Sequence, residues 1–425
     1  MTEEERGQKL QAGQLWFPVP SARQMVPAEG HHFEWLQTAG WADNRGAFKR
    51  LQKLVTTIHV VPTVSHFQEK SDDLDRILNI FIRVNSGGTQ LSFSDLLLSL
   101  AISQWSELDA RQEINSLQDQ VNATGQGYTF GRDRLLKAAL VLGDFDNIKF
   151  RADNFKKSKM SVIEEGWPDV KNAVLVAVKL IDKLGFSAKT FRAENALIPI
   201  AYFIQNRELD EKLLTSNEHA NTRRLIHRWL AGSFLRSGYW TGAVDGILLA
   251  SREAIKQSTG DFPFAEISTL AQGRTGKLLN YSAEDVDELL DEVKYGSWRA
   301  VLCLQLIFGD LDSSSTASID HLHPRSDFST RRGQQRGWSA EQIADRSSRK
   351  DLLPNLQLMT LLPNQEKSST ALDEWLENSF GVEDRSNRKT TYLLDDLPLS
   401  VDDFDDFYDG RRRLMRERLI SALCN

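Results

Sequence analysis

A segment near the end of the chain carries the side-chain types that hydrolysis of a phosphodiester requires. Asp320 and His321 are adjacent, Asn355 follows 34 residues after His321, and Asn364 and Lys367 come next. Such hydrolysis needs a base to deprotonate water and a divalent ion to neutralise the phosphate and the departing oxygen. A histidine beside a carboxylate can serve both needs, and the oxygens of Asp320 and Asn364 are hard ligands that suit Mg²⁺. The spacing therefore predicts a metal-dependent hydrolytic site.

Asp320 and His321 are predicted at the end of a strand, where neighbouring side chains face opposite ways. A local distortion or a coil must then let Asp320 reach the ion while His321 faces the water. Taken alone, an Asp-His dipeptide more often forms a surface ion pair or a capped turn. His323 and Arg325 are weaker candidates for a contact with phosphate or with the surroundings of the metal, and a packing or solvent-facing role suits His323 better.

The segment 321–350, between the two halves of this site, is rich in cations. It holds seven arginines and lysines against three acidic residues, an excess of four positive charges, although the whole chain carries a net charge of −7 at pH 7. A positive face beside a hydrolytic site is what tracking a DNA backbone requires. A solvated charged loop is the alternative interpretation.

In order and spacing, these residues resemble the His-Asn-His (ββα-metal) nuclease motif, in which a strand with Asp-His and a strand with Asn precede a helix that carries the last ligand. The run NLQLMTLLPNQEK, from Asn355 to Lys367, is similar to the nuclease domain of RNA-guided CRISPR effectors. The resemblance implies that His321 is the general base and that Asn355 orients it. It also implies that Asp320 and Asn364 hold Mg²⁺ or Mn²⁺, and it places Lys367 among the catalytic residues.

A second string, FIRVNSGGTQLS at 81–92, contains a candidate nucleotide or phosphate turn made by Arg83, Asn85, Gly87 and Gly88. Backbone amides of such a turn can approach a phosphate, but a tight turn between two helices explains the glycines equally well. Together with the C-terminal motif, the string resembles the GmrSD family of modification-dependent (Type IV) restriction nucleases, whose layout SspE-type nucleases share. That family pairs an N-terminal ParB/sulfiredoxin-like NTPase domain with a C-terminal His-Asn-His domain.

One element of that family is missing from this sequence. The NTPase loop Asp-Gly-Gln-Gln-Arg, which normally lies well before the Arg-Val-Asn-Ser-Gly-Gly string, is absent. We therefore expect an N-terminally short chain, which is a fragment, a mis-started reading frame or a diverged member. NTP is accordingly expected as a ligand only where the N-terminal domain is complete.

The pattern of apolar residues along the chain predicts the elements that must position these residues. It indicates a mainly α protein with small α+β parts, in three domains. Residues 1–106 are expected to form a truncated ParB-like α/β segment, in which a β-branched run at 55–64 is typical of a strand. Residues 107–310 are expected to form a helical domain. Its apolar stripes recur at the 3.6-residue spacing of a helix and lie at 135–142, 170–184, 225–235 and 286–307.

Residues 311–425 are expected to form the ββα-metal nuclease unit with a helical tail. Within it, the apolar run at 355–362 predicts a strand and the run at 368–376 predicts a helix. The tail has five aspartates between 402 and 409 and three arginines at 411–413, which is typical of a solvated helix end.

Composition bounds the remaining choices. A net charge of −7 excludes a histone-like coat of nucleic acid, and two cysteines, Cys303 and Cys424, are too few for a disulfide framework. The first residues lack the apolar core of a secretory signal, and the longest apolar runs fall short of the ~20 residues that span a bilayer. We therefore expect a soluble, cytoplasmic protein with no membrane partner.

Together these observations predict a Mg²⁺- or Mn²⁺-dependent endonuclease whose partner is DNA. By the resemblance, it would cut or nick foreign phage DNA that carries a modification. Two alternatives remain open at this point: a catalytically silent DNA-binding or sensor protein of a defence system, and an RNA-cleaving toxin.

Overall fold

Helices dominate the described chain, and one two-stranded sheet interrupts them. The computed structural model describes residues 13–62, 70, 76–77, 80, 98–99, 101–149, 152–308, 318–359, 367 and 369–424. The chain divides into two units, Met1–Asp73 and Leu74–Asn425. The predicted fold class, mainly α with small α+β parts, is confirmed.

In the first unit, two helices pack together around a small apolar core. Helix α1 spans His31–Thr38 and helix α2 spans Arg45–His59, after two 3₁₀ turns at Val19–Gln24 and Pro27–Glu29. The buried core side chains are Ala22, Met25, Leu36, Leu51 and Val55.

The strand predicted at 55–64 is wrong, because residues 55–59 belong to α2. Leu51 and Val55 are four residues apart, so they lie on one side of a helix, and both are buried. Asn44 caps the first turn by accepting a hydrogen bond from the Ala47 amide at 2.9 Å. Burial at helical spacing outweighs the context-dependent strand preference of β-branched residues.

The second unit begins with a helical block that matches the predicted stripes at 135–142, 170–184 and 225–235. Among its described residues, no helix is long and apolar enough to cross a membrane, and the same holds for the first unit. The α-helices of the block are α3 (Ala110–Asn122), α4 (Arg132–Leu142), α5 (Lys157–Glu165), α6 (Trp167–Lys183), α7 (Leu197–Asn206), α8 (Ala220–Leu235), α9 (Val244–Gln257), α10 (Phe264–Thr275), α11 (Ala283–Glu292) and α12 (Trp298–Phe308).

The fourth stripe, at 286–307, is two helices rather than one. Helix α11 ends before Val293, and Gly296, with a φ of 82°, lies in the turn that precedes α12. In this turn the Tyr295 amide donates a hydrogen bond to the Asp351 carbonyl at 2.8 Å. The break therefore connects the helical block to the C-terminal segment.

The C-terminal segment contains the sheet. Strand β1 (Ser318–His321) pairs antiparallel with β2 (Leu356–Met359), with His321 opposite Leu356 and Asp320 opposite Gln357. Strand β2 lies within the predicted 355–362, and the helix predicted at 368–376 runs instead from Leu372 to Ser379. The remaining elements are 3₁₀ turns at Arg325–Phe328, Leu353–Asn355 and Val401–Asp403, and helices α13 (Thr330–Gln335), α14 (Ala340–Arg349), α15 (Leu372–Ser379), α16 (Val382–Thr391) and α17 (Phe404–Leu423).

Helix α17 is not the solvated end that its charges predict. It buries Phe404, Phe407 and Tyr408 against the C-terminal core, and the Arg411 side chain is fully buried. The Arg411 guanidinium donates to the carbonyls of Pro354, Leu356 and Tyr392 at 2.7, 2.9 and 3.1 Å and to Gln357 Oε1 at 2.6 Å. Burial lowers the pKa of Arg411 to about 9. The tail thus holds β2 and the turn before it in place.

Candidate active site

His321 lies at the end of β1 with a buried imidazole. The side chain is 7 % exposed, and its Nε2 lies 2.8 Å from Asp351 Oδ1. The ring also contacts Tyr295, with 4.4 Å between ring centroids. Because a carboxylate accepts, Nε2 carries the proton, and Nδ1 is left with the lone pair. Burial lowers the pKa of His321, although the neighbouring Asp351 opposes this shift. The imidazole is therefore neutral at pH 7.

Asp320 contacts a different partner. Lys367 Nζ lies 3.1 Å from Asp320 Oδ2 and donates to the His321 carbonyl at 2.5 Å. The Lys367 side chain is fully buried, and burial lowers its pKa while Asp320 opposes the shift. The pairing of β1 with β2 is regular through His321, so the expected distortion is not seen up to that residue. Since β1 ends there, both side chains belong to the last two residues of the strand.

Asn355 is fully buried and bonds to the main chain that follows His321. Its Oδ1 accepts from the His323 amide at 2.9 Å, and its Nδ2 donates to the carbonyls of His323 and Lys350 at 3.0 and 2.8 Å. The imidazole of His321 bonds to Asp351 instead. Asn355 therefore fixes the backbone of His323, two residues beyond His321, by hydrogen bonds. It makes no direct hydrogen bond to the His321 imidazole, which was the expected contact.

His323 is a packing residue, so the suggested contact with phosphate or metal is corrected. The residue is 1 % exposed, and its ring packs edge-on against Phe404 and Phe407, with centroids 5.7 and 4.4 Å away. Burial lowers its pKa to about 3. A ring that is enclosed and neutral in this way cannot reach a phosphate in solvent.

Arg325 lies at the solvent edge of the same site. Its side chain is 57 % exposed, and its Nε lies 3.1 Å from Asp351 Oδ1. The guanidinium carbon is 5.9 Å from the centre of the Tyr295 ring. Arg325 therefore holds its positive charge at the solvent edge, beside the carboxylate that contacts His321.

The cationic segment 321–350 is largely neutralised by carboxylates, two of which lie in the tail. The charge count for 321–350 does not include the two tail carboxylates, because they lie about 50 to 80 residues after the arginines and lysines of that segment. The pairs are Arg332 with Asp327, Arg336 with Asp402, Arg346 with Asp405, and Arg349 with both Asp345 and Asp405. The expected positive face for a DNA backbone is correspondingly reduced. The pairs with Asp402 and Asp405 attach α14 and the turn before it to α17 and to the 3₁₀ turn that precedes α17.

Several predicted residues lie outside the described residues. These are the metal ligand Asn364 and the candidate phosphate turn of Arg83, Asn85, Gly87 and Gly88. The structure therefore brings together Asp320, His321, Asn355 and Lys367 from the predicted set.

The donor chemistry at Asp320 suits a hard divalent cation, because a carboxylate oxygen is the ligand type that Mg²⁺ prefers. Lys367 contacts one of its two oxygens. Among the described residues, no group of three or more His, Cys, Asp or Glu side chains could hold a metal ion. A cation at Asp320 would therefore need its other ligands from water or from residues outside the described part of the chain.

Two residues of the site were missed by the sequence reasoning. Asp351 was not singled out, although it stands only four residues before Asn355. Tyr295 lies 26 residues before His321 in a different predicted domain. The carboxylate of Asp351 could have been considered as a partner of His321, whereas nothing in the local sequence connects Tyr295 to the site.

Comparison with known proteins adds no relative. A scan of the chain against protein-family models finds no match, and a search of curated proteins finds none either.

Proposed function

We propose that this protein is a metal-dependent DNA endonuclease, with residues 311–425 as its cutting domain. The observation that carries the proposal is the buried His321 imidazole, held by Asp351 at 2.8 Å and adjacent to the Asp320 carboxylate. A neutral histidine with one nitrogen anchored and the other free to accept a proton has the arrangement of a general base. The sequence resemblance to GmrSD-type restriction nucleases supports DNA as the substrate.

In the proposed reaction, His321 Nδ1 accepts a proton from the water that attacks phosphorus. The resulting imidazolium keeps its Nε2–H bond to Asp351, whose negative charge stabilises it, as in other Asp-His pairs. Arg325 contributes positive charge near the substrate phosphate. Asp320 and Asn364 would hold a Mg²⁺ ion, which would supply neutralising charge for the phosphate and the leaving oxygen.

Lys367 has a positioning role in this proposal. By donating to the His321 carbonyl and pairing with Asp320, it fixes the backbone and the carboxylate together. Asn355 does the same for the backbone at His323. Both side chains are fully buried, so they act on the geometry of the site and do not touch the substrate.

A catalytically silent DNA-binding protein is the second candidate, and the contact of Lys367 with Asp320 favours it. An ammonium group 3.1 Å from the carboxylate competes with a cation for the same oxygen. Such a protein would retain DNA binding and show no turnover with any divalent ion. Both cysteines are free, which fits a cytoplasmic location for either candidate.

The test is cutting of supercoiled plasmid DNA and of a matched RNA by the full chain, with Mg²⁺ or Mn²⁺. We expect nicked or linear DNA, and no product from the His321→Ala variant. His219→Ala removes a histidine outside the site and should cut as the wild type does. Equal cutting by His321→Ala contradicts the assignment, whereas RNA products alone would identify an RNA-cleaving enzyme.

A further inference from the structure

The first unit contains a cavity of about 650 Å³ that is lined by four aromatic side chains among aliphatic and polar ones. Trp16, Phe17, Trp35 and Trp41 all line it. Its volume falls within the ~300–1,000 Å³ that is typical of sites for small ligands. Phe17 and Trp35 pack edge to face at 4.9 Å between centroids, so each restricts the other. The cavity therefore offers ring faces that are already in place.

Helix α2 forms one wall of this cavity, and its charged residues are all positive. Arg45, Lys49, Arg50 and Lys53 are exposed, and the helix contains no Asp or Glu. Arg50 also lines the cavity, whereas the described lining residues include no carboxylate. Residues three and four apart are neighbours on a helix surface, so these charges form a continuous stripe that starts at the cavity.

The chemistry of this surface fits a single-stranded nucleic acid. Proteins bind such strands by stacking bases on aromatic rings while cations follow the phosphates. A lipid surface fits less well, since insertion needs an exposed apolar helix face. On α2 the apolar residues Leu51 and Val55 are 6 % and 0 % exposed, within the core of the unit, and Ile58, near the end of the helix, is 40 % exposed. A single exposed apolar side chain does not make an apolar helix face.

We propose that the cavity and the cationic stripe of α2 form a second nucleic-acid contact, which stacks an unpaired base and binds the phosphates beside it. The inference rests on the proposed function only in taking nucleic acid as the ligand. Binding at this surface needs neither a divalent ion nor cutting, so it can fail or succeed separately from the active site.

The stripe is tested by measuring how tightly the full chain binds a fluorescein-labelled oligo(dT) in EDTA. Binding is monitored by fluorescence anisotropy at several salt concentrations. We expect the Lys49→Gln/Lys53→Gln variant to bind about tenfold more weakly at low salt. The slope of log K against log salt should fall by about 1.4, since each phosphate contact on a single strand contributes about 0.7. The control Arg111→Gln/Lys189→Gln, with the same loss of charge on exposed positions of the helical block, should bind as the wild type does.

The cavity is tested with Trp41. Trp41→Ala should weaken oligo(dT) binding roughly tenfold, and Trp41→Phe should restore most of it, because stacking needs a ring. Wild-type affinity in both the lysine and the Trp41→Ala variants would overturn the proposal. Equal losses in the control would also overturn it, as would tighter binding to anionic vesicles than to oligo(dT).

Discussion

Two cationic regions of this protein differ in what surrounds their charges. In the segment 321–350, Arg332, Arg336, Arg346 and Arg349 each pair with a carboxylate. On α2, four exposed cations share a helix that has no acidic residue. The first set mainly holds elements together, and the second is the set that we propose binds a ligand. A local charge excess in sequence therefore does not identify a binding surface, because the neutralising groups can come from a distant helix.

The largest effect is expected on folding stability, from the loss of the fully buried Arg411. Arg411→Met removes the donor to three carbonyls and to Gln357, and buried acceptors without partners are costly. We expect the free energy of unfolding to fall by about 3 kcal/mol in urea denaturation. Arg413→Met, at an exposed position on the same helix, should change it by less than about 0.5 kcal/mol. A similar small change for Arg411→Met would mean that α17 does not hold β2.

The next effect concerns the carboxylate that binds His321. Asp351→Asn removes the negative charge that stabilises the imidazolium but keeps an oxygen near Nε2. In the proposed mechanism, kcat for DNA cutting should fall about 10²-fold with little change in KM. Asp345→Asn, which disturbs an ion pair of Arg349 outside the site, should leave kcat unchanged. A change confined to KM would indicate that Asp351 serves binding and does not act through His321.

His323 should make folding stability depend on pH. Burial lowers its pKa to about 3, so between that pH and the ordinary value near 6.5 the unfolded chain binds a proton that the folded chain does not. Stability is fully present above about pH 6.5 and is lost as the pH falls toward 3. His323→Leu should remove up to roughly 1.4 kcal/mol per pH unit of this dependence, measured by urea denaturation between pH 4 and 7. His31→Gln, at a more exposed histidine, should retain it.

The smallest effect tests the neutralised region directly. Asp402→Asn removes the nearer carboxylate partner of Arg336 and leaves Asp327 at 4.0 Å. The affinity for duplex DNA should then rise about twofold at low salt. Stability should change by less than about 1 kcal/mol, since the pair is exposed. Asp403→Asn removes the same charge from an exposed position beside it. An equal gain from Asp403→Asn would show that net charge alone, and not the release of Arg336, determines binding.

Some of the fold could be predicted because it depends on local periodicity. Apolar side chains recur every three or four residues in α6 and α8, and both helices form where the pattern places them. The strand at 55–64 failed because Val55 completes the buried face of a capped helix. The break at Tyr295 also escaped prediction: the turn combines Gly296 at positive φ with a hydrogen bond from Tyr295 to Asp351, 56 residues away.

For the candidate site, too, part could be predicted from the sequence and part could not. Residue type and spacing predict Asp320, His321, Asn355 and Lys367 as one site. The structure brings these residues together, and their roles stay a prediction. What each one contacts could not be read from spacing. The partner of His321 is Asp351, and only the packing of β1 against the turn before β2 brings the two together.

The proposed cutting site is tested most directly by single-turnover cleavage of DNA, with Mn²⁺ binding measured by calorimetry on the same preparations. For His321→Ala, we expect cleavage at least about 10²-fold slower than wild type with Mn²⁺ affinity preserved, because the imidazole supplies the base and Asp320 the ligand. Wild-type cleavage by His321→Ala would contradict it.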